Sequence, residues 1–193
     1  MNDPRIPVGI CASTDRYKIC DVALQEWDKG VIEKPIGSNR GPEVDKYLPK
    51  FWLSHKTGPA WCAFFVGWVV NQATGLYPPG GRIGGVMAMM NAAKKVDRWT
   101  PKRGRLPIPG DIFVMDTDGD RGNHGHTGIV IRVSEDGALI NTVEGNCGQR
   151  VQLGLREVGD SQIIGWIDTA PGERPEFELG AIDAKKVGGA ATR

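Results

Sequence analysis

The stretch "HTGIVIRVSEDGALINTVEG", residues 126–145, decides the fold of this 193-residue chain. Two apolar runs flank the polar tetrapeptide "SEDG", a pattern typical of a β-hairpin. Further strand signals lie on both sides: "PGDIFVMD" (109–116) precedes the hairpin, and "RVQLGLREV" (150–158) and "QIIGWIDT" (162–169) follow it. The second half of the chain therefore predicts an antiparallel meander.

The first half of the chain has the spacing of helices. "DVALQEWDKGV" (21–31) is amphipathic, an almost wholly apolar helix is predicted over residues 60–73, and a third helix falls in "GVMAMMNAAKKVDRW" (85–99). A shorter helix is expected to begin at Pro42 and to stop at Pro49. Helices followed by a meander indicate an α+β fold, with the helices packed against one side of the sheet.

The length of the chain suits one domain with a sizeable core. We expect residues 1–38 to form an N-terminal extension whose one helix packs on the domain, and residues 39–170 to form the domain itself. Residues 171–193 lose all periodicity and predict a flexible C-terminal tail.

The net charge of +1 gives no sign of a nucleic-acid partner. The longest apolar run, residues 60–66, is too short for a membrane span. The N-terminus lacks the pattern of a signal peptide, so synthesis in the cytoplasm is expected. Action outside the cytoplasm would then require another means of release or delivery.

A reactive cysteine is the first candidate for chemistry. Cys62 falls in the first turn of the apolar helix, where unpaired backbone N–H groups and the helix dipole favour an anion and therefore a thiolate. The alternative is a packed thiol, because free cysteine is among the most buried residue types.

A histidine and an orienting carboxylate could complete such a site. His126 begins a strand and could act as the base, although His124 is a rival only two positions away. Glu144 ends the partner strand of the hairpin, so the register could bring it opposite or close to His126. Asn146 could contribute to the same site. Taken singly, a histidine at a strand start is usually a surface or satisfied residue, and Glu144 at a strand end is more typical of a solvated carboxylate.

Other features suggest no metal. Asp116, Asp118 and Asp120 alternate as at the start of a calcium loop, but the Gly and Glu that such a loop requires are absent from the following positions. The cysteines lack the paired spacing of zinc ligands. Cys11 and Cys20 are the most plausible disulfide pair in an oxidising compartment.

Cys147, beside the candidate site, is either a packed thiol or a disulfide partner. Trp61, next to Cys62, is either a core residue or part of the lining of a substrate cleft.

Four motifs together resemble those of the CHAP family of cysteine, histidine-dependent amidohydrolases/peptidases, in the papain-like clan of cell-wall hydrolases. They are "WCAFFV" (61–66), "PGDIFVMD" (109–116), "GHTGIVI" (125–131) and "VEGN" (143–146). The segment "NRGPEVDKYL" (39–48) is also similar to the one that precedes the nucleophile in phage-like members. The resemblance covers residues 39 to about 168.

This resemblance implies a papain-like α+β fold with Cys62 as nucleophile, His126 as general base and Glu144 as the group that orients it. Asn146 matches a position that is often polar in the family, and Trp61 becomes a candidate substrate-binding residue. Peptidoglycan is the implied substrate, cut as by an N-acetylmuramoyl-L-alanine amidase or by a stem-peptide or crossbridge endopeptidase. Neither a cofactor nor a metal is expected.

The implied biological setting is a phage-type lysin or a secreted antibacterial effector, acting at the cell wall or in the periplasm. An effector would require an immunity protein in the producing cell. Two alternatives stay open: a cysteine amidase or peptidase that acts on a cytosolic amide, and a catalytically silent binding domain of the same fold.

Overall fold

The computed structural model describes residues 3–6, 14–119, 122 and 124–173. Within them three α-helices precede all six strands, and a 3-10 turn lies at each of Lys50–Ser54 and Pro171–Glu173. The elements are α1 (Asp15–Asp28), α2 (Cys62–Thr74), α3 (Val86–Lys95), β1 (Trp99–Pro101), β2 (Ile112–Asp116), β3 (Gly125–Val133), β4 (Leu139–Cys147), β5 (Arg150–Glu157) and β6 (Ile163–Ile167).

The strands of the described residues form one six-stranded sheet in the order β1-β6-β2-β3-β4-β5, and every neighbouring pair is antiparallel. The hairpin predicted over residues 126–145 forms β3 and β4, at positions four and five of that order. The predicted α+β class, with N-terminal helices packed on an antiparallel sheet, is confirmed.

The three helices pack against one face of the sheet. Apolar side chains of α1, α2 and α3 form a continuous cluster with strand residues such as Val114, Ile129 and Val143. The opposite face has a smaller core around Phe113, Ile140 and Trp166. Because side chains alternate along a strand, β2 and β4 each contribute to both cores.

The N-terminal helix is longer than the sequence predicts, beginning at Asp15. Thr14 is its N-cap, and the Thr14 side chain accepts a hydrogen bond from the backbone N–H of Tyr17 at 3.2 Å. Arg16, in the first turn, is 1% exposed and forms ion pairs with Asp111 at 2.9 Å and with Asp168. These partners anchor α1 to the segments that flank β2 and β6.

Two other helix predictions need correction. No regular helix follows Pro42: residues 42–47 form consecutive turns, and a 3-10 turn comes only after Pro49. The third helix ends at Lys95, because Asp97 adopts a left-handed conformation (φ 54°) that an α-helix does not admit. Trp99 therefore lies in β1, a three-residue strand that the sequence pattern did not reveal.

Some predictions fall on residues outside the described part of the chain. They include the flexible tail beyond Glu173 and the Cys11 half of the proposed disulfide. Cys20 is a buried free thiol whose Sγ lies 3.6 Å from the carbonyl oxygen of Val130, and burial raises its pKa to about 12.

Among the described residues, no helix has both the length and the apolar character needed to cross a bilayer.

Candidate active site

The N-terminus of α2 carries Cys62 as the first residue of the helix. Cys62 is 4% exposed, and the cap residue Trp61 makes no side-chain hydrogen bond to the helix. Most helices place a serine, threonine, asparagine or aspartate at this point to satisfy the first N–H groups. Because the Trp61 side chain does not cap α2, the first backbone N–H groups of the helix lie beside the thiol without a hydrogen bond from the cap side chain.

His126, on β3, lies between the thiol of Cys62 and the carboxylate of Glu144. Its Nε2 lies 2.7 Å from Oε2 of Glu144, and the imidazole also interacts with the thiols of Cys62 and Cys147. Since Glu144 occupies Nε2, the ring nitrogen left for a thiol is Nδ1. The imidazole side chain is 17% exposed, whereas Glu144 is fully buried.

The register of the hairpin explains this pairing. β3 and β4 pair at Ile129 and Val143, and extension of that register places Glu144 opposite Gly128 and diagonal to His126. A Cβ atom on Gly128 would lie 2.8 Å from Cγ of Glu144. The glycine in "HTG" thus leaves the space through which the glutamate side chain passes.

Gly145 has a matching role on the other face of the sheet. A Cβ atom there would lie 2.5 Å from Cβ of Phe65, so the glycine lets α2 approach β4 closely. The glycine of "HTG" therefore makes room for Glu144 beside His126, and the glycine of "VEGN" lets α2, which carries Cys62, approach the sheet.

Four hydrogen bonds hold the buried Glu144 carboxylate. Oε1 accepts from the Thr142 hydroxyl at 2.5 Å and from Nε of Arg156 at 2.6 Å. Oε2 accepts from Nη2 of Arg156 at 2.5 Å and pairs with His126. Burial would raise the pKa of Glu144, but the hydrogen bonds from His126 and Arg156 outweigh it and hold that pKa at about 2.

The protonated imidazole is stabilised in turn. Burial disfavours a charged ring, but interactions with Cys147, Cys62 and Glu144 outweigh burial and raise the pKa of His126 well above its ordinary range. The arrangement can therefore keep an imidazolium between the Glu144 carboxylate and the Cys62 sulfur. Such an imidazolium stabilises the thiolate that forms when the thiol loses its proton.

The predicted site residues separate into two groups. Cys62, His126 and Glu144 come together, while the rival His124 is 80% exposed and faces Asp118, with Nδ1 3.2 Å from its carboxylate. Asn146 is half-buried, and its side chain makes no hydrogen bond within the described residues. It adopts a left-handed backbone conformation (φ 57°) at the irregularity between Glu144 and Cys147.

Trp61 does not fit its predicted contact with substrate. Its side chain is 0% exposed, its indole N–H donates to Oε1 of the buried Glu33 at 2.9 Å, and its ring stacks on Tyr47 with centroids 5.5 Å apart. The core alternative describes this position, because a fully buried ring has no surface to offer a ligand.

Sequence reasoning placed Cys147 beside the site but missed Arg156 and Thr142. Side-chain alternation along paired strands puts Thr142, Glu144 and Arg156 on one face. The sequence reveals this placement only once the register of β4 and β5 is known. The register depends on a two-residue turn, Gly148–Gln149, in which both residues have positive φ.

Three of these side chains have the spacing of metal ligands. Donor atoms of His126, Glu144 and Cys147 lie within 4.8 Å of one another. Arg156, however, already pairs with both carboxylate oxygens of Glu144, and its positive charge opposes a second cation there. The geometry therefore suits proton transfer better than metal binding.

Comparison with known proteins agrees with this arrangement. Residues 54–146, which contain Cys62, His126 and Glu144, match the family model of the CHAP domain. The match confirms the resemblance to the CHAP family that the four sequence motifs carry. No curated protein sequence matches the chain. The match supports an amidase- or peptidase-type hydrolase.

The CHAP match begins at residue 54, but the interactions that hold its site together begin earlier. Glu33 and Arg16 lie outside the matched range and contact residues inside it, Trp61 and Asp111 respectively.

Proposed function

We propose that this CHAP domain hydrolyses an amide bond of peptidoglycan by a thiol mechanism in which Cys62 is the nucleophile, His126 the base and Glu144 the group that orients the imidazole. The observation that carries the proposal is the position of one imidazole between the thiol of Cys62 and a buried, ionised carboxylate. A nucleophile, a base and an orienting third group are the parts that acyl transfer requires.

The reaction begins with transfer of the Cys62 proton to Nδ1 of His126. The thiolate then attacks the carbonyl carbon of the amide, and backbone N–H groups at the start of α2, including that of Cys62, stabilise the tetrahedral oxyanion. The imidazolium gives its proton to the leaving amine, and a thioester remains on Cys62. Water, deprotonated by His126, hydrolyses the thioester and restores the thiol.

Glu144 acts throughout as a fixed negative charge. By accepting from Nε2–H it selects the tautomer whose Nδ1 can take the thiol proton, and it stabilises the imidazolium that follows. We propose no direct role for Trp61, and Asn146 contributes through the backbone bend that precedes Cys147.

The proposed substrate follows from the family, and the scissile bond is one of two kinds. An N-acetylmuramoyl-L-alanine amidase would release intact stem peptides from the glycan, whereas a stem-peptide or crossbridge endopeptidase would leave them attached. We propose that the protein acts at the cell wall or in the periplasm, as a phage-type lysin or a secreted antibacterial effector.

Digestion of purified sacculi tests the proposal. The wild-type protein and a Cys62→Ala variant are incubated with sacculi, and the soluble fragments are identified by mass spectrometry. We expect fragments with new amino ends from the wild type alone, and those ends identify the bond. An absence of fragments from folded wild-type protein, across sacculi of several peptide chemistries, would refute the proposal.

The lysin and effector settings need a separate measurement. An effector implies an immunity protein, so co-expression with the neighbouring open reading frames should yield a complex in which sacculus digestion is blocked. Lysis of cells after co-expression with a holin alone favours the lysin setting.

A further inference from the structure

The Glu144 carboxylate has a partner that no motif of the family match contains. Arg156, on β5, approaches it with two parallel N–H···O bonds, at 2.6 Å from Nε and 2.5 Å from Nη2. Residues 54–146 carry the CHAP match, so Arg156 lies ten positions beyond it. We propose that Arg156 is a positioning residue, which holds Glu144 ionised and oriented so that His126 can serve Cys62.

The need for such a residue follows from burial. Glu144 has no exposed surface, and removal of a carboxylate from water favours its neutral form. A neutral Glu144 could no longer stabilise an imidazolium. The guanidinium supplies the opposite charge that makes ionisation favourable at this depth, and the two-point contact also fixes the plane of the carboxylate.

The surroundings of Arg156 favour arginine over lysine. Its guanidinium carbon lies 5.3 Å from the centroid of the Phe113 ring, and that ring lies 6.0 Å from the ring of His126. A planar guanidinium can stack on an aromatic ring while both edge donors engage a carboxylate. A lysine ammonium would provide the charge without the fork, that is, without the two parallel N–H donors of a guanidinium.

The sheet is shaped for this contact. A Cβ atom on Gly154 would overlap both Oε1 of Glu144 and the Thr142 hydroxyl, so only glycine leaves the carboxylate room to reach along β5 towards Arg156. Thr142 pairs with Gly154 across the two strands and supplies the remaining hydrogen bond to Oε1. Gly154, Thr142 and Arg156 thus together provide the space and the hydrogen bonds that the Glu144 carboxylate requires.

The other titratable groups near this pair are few. His126 on β3 faces the carboxylate, while Cys62 on α2 and Cys147 on β4 face the imidazole. Asp160, in the turn after β5, acts on the guanidinium. Arg156 is therefore the cation whose removal leaves the buried carboxylate to His126 alone, among the charged groups that act on it in the described residues.

The first test is a titration that needs no substrate. In a Cys62→Ala background, the ¹³C shift of the Glu144 carboxyl group is followed against pH with and without Arg156→Met. Loss of a contacting opposite charge should move the midpoint upward by about 1 to 3 pH units. Arg132→Met, on an exposed position of β3, is the matched control and should leave the midpoint unchanged.

The second test asks whether the shift of the Glu144 midpoint changes the rate of the catalysed reaction, and it rests on the proposed function. With Cys62 present, kcat on a soluble peptidoglycan fragment should fall by about 10²-fold in Arg156→Met while KM stays constant, because a displaced imidazole slows the chemistry without touching substrate. The acid limb of the kcat profile should move with the carboxyl midpoint. A salt bridge with a purely structural role would lower stability and leave this limb in place.

The outcomes separate the two proposals. A Glu144 midpoint that stays in place, or one that moves while the kcat profile does not, overturns the role of Arg156. A wild-type protein that digests no peptidoglycan overturns the proposed function and leaves the titration valid. If Arg156→Met does not fold, Arg156→Lys keeps the charge without the fork. Its kcat should fall at constant KM, and a wild-type kcat there would also overturn the role.

Discussion

The indole N–H of Trp61 donates to the buried carboxylate of Glu33 at 2.9 Å, and this bond ties the residue before Cys62 to a segment far upstream. The other oxygen of Glu33 accepts from the backbone N–H of Asn39 at 3.0 Å. The backbone N–H of Glu33 in turn donates to the carbonyl of Gln149, in the turn that follows Cys147. The upstream segment therefore joins the two thiol-bearing ends of the site.

Replacement of Trp61 by phenylalanine should destabilise the protein. The aromatic stack on Tyr47 is retained, but a buried carboxylate oxygen loses its donor, which typically costs about 1–3 kcal/mol. Urea denaturation measures the difference. Phe51→Leu is the control, since Phe51 is 64% exposed and its replacement should change stability by less than about 0.5 kcal/mol. Equal losses in the two variants would contradict the importance of the Glu33 bond.

Arg16 should be essential to folding although it lies outside the CHAP match. The guanidinium is buried between Asp111 and Asp168, so Arg16→Met removes a buried cation from both carboxylates, although Asp111 keeps its ion pair with Arg105. The substitution should cost about 3–5 kcal/mol. Lys18→Met, two positions along α1 at a half-exposed ion pair, should cost less than about 1 kcal/mol. Urea midpoints compare the two. A small effect of Arg16→Met would show that the ion pairs of Arg16 are not needed to hold α1 on the domain.

The ion pairs of Arg16 and the bond from Trp61 to Glu33 are contacts that the sequence alone did not predict. Local patterns were sufficient for the hairpin, for α2 and for the meeting of His126 with Glu144, because eighteen positions and a tight turn fix that geometry. Arg16 pairs across 95 and 152 positions, and no periodicity encodes such contacts. Trp61 was ambiguous for a similar reason, since its burial depends on Glu33 and Tyr47 in remote loops.

Gly154→Ala should disable the site while leaving most of the fold in place. The added methyl group overlaps Oε1 of Glu144 and the Thr142 hydroxyl, so the carboxylate must move away from Arg156. We expect a loss of about 10²-fold in kcat/KM and a destabilisation of about 1–3 kcal/mol. The measurements are fragment release and urea denaturation.

The control for that substitution is Gly67→Ala, in the middle of α2. A Cβ atom there meets nothing closer than 3.9 Å, so alanine should stabilise the helix by about 1 kcal/mol and preserve activity. Full activity in Gly154→Ala would show that the carboxylate does not need its observed position.

Glu144 should also give the protein a stability that depends on pH. Its folded-state pKa of about 2 lies below the ordinary value of 4.5, so the fold favours the ionised form. The resulting stability is fully present above about pH 4.5 and is lost as the pH falls through about 2. Urea denaturation between pH 2 and 6 should therefore show a steeper loss in the wild type than in Glu144→Gln. Parallel curves would mean that the carboxylate is no better stabilised in the fold than in the unfolded chain.

Alkylation should distinguish a reactive Cys62 from a packed thiol. Cys147 also contacts the imidazole, so the measurement is made in a Cys147→Ser background, in which we expect peptidoglycan digestion to persist. Iodoacetamide labelling of Cys62, followed by mass spectrometry between pH 5 and 9, should be rapid because the imidazole of His126 can take the proton of the thiol. His126→Ala should slow it markedly at those pH values. Cys20, fully buried and with a raised pKa, serves as the internal reference for an inert thiol in the same molecule. Labelling of Cys62 as slow as that of Cys20, in folded protein with His126 intact, would favour the catalytically silent binding domain over a hydrolase.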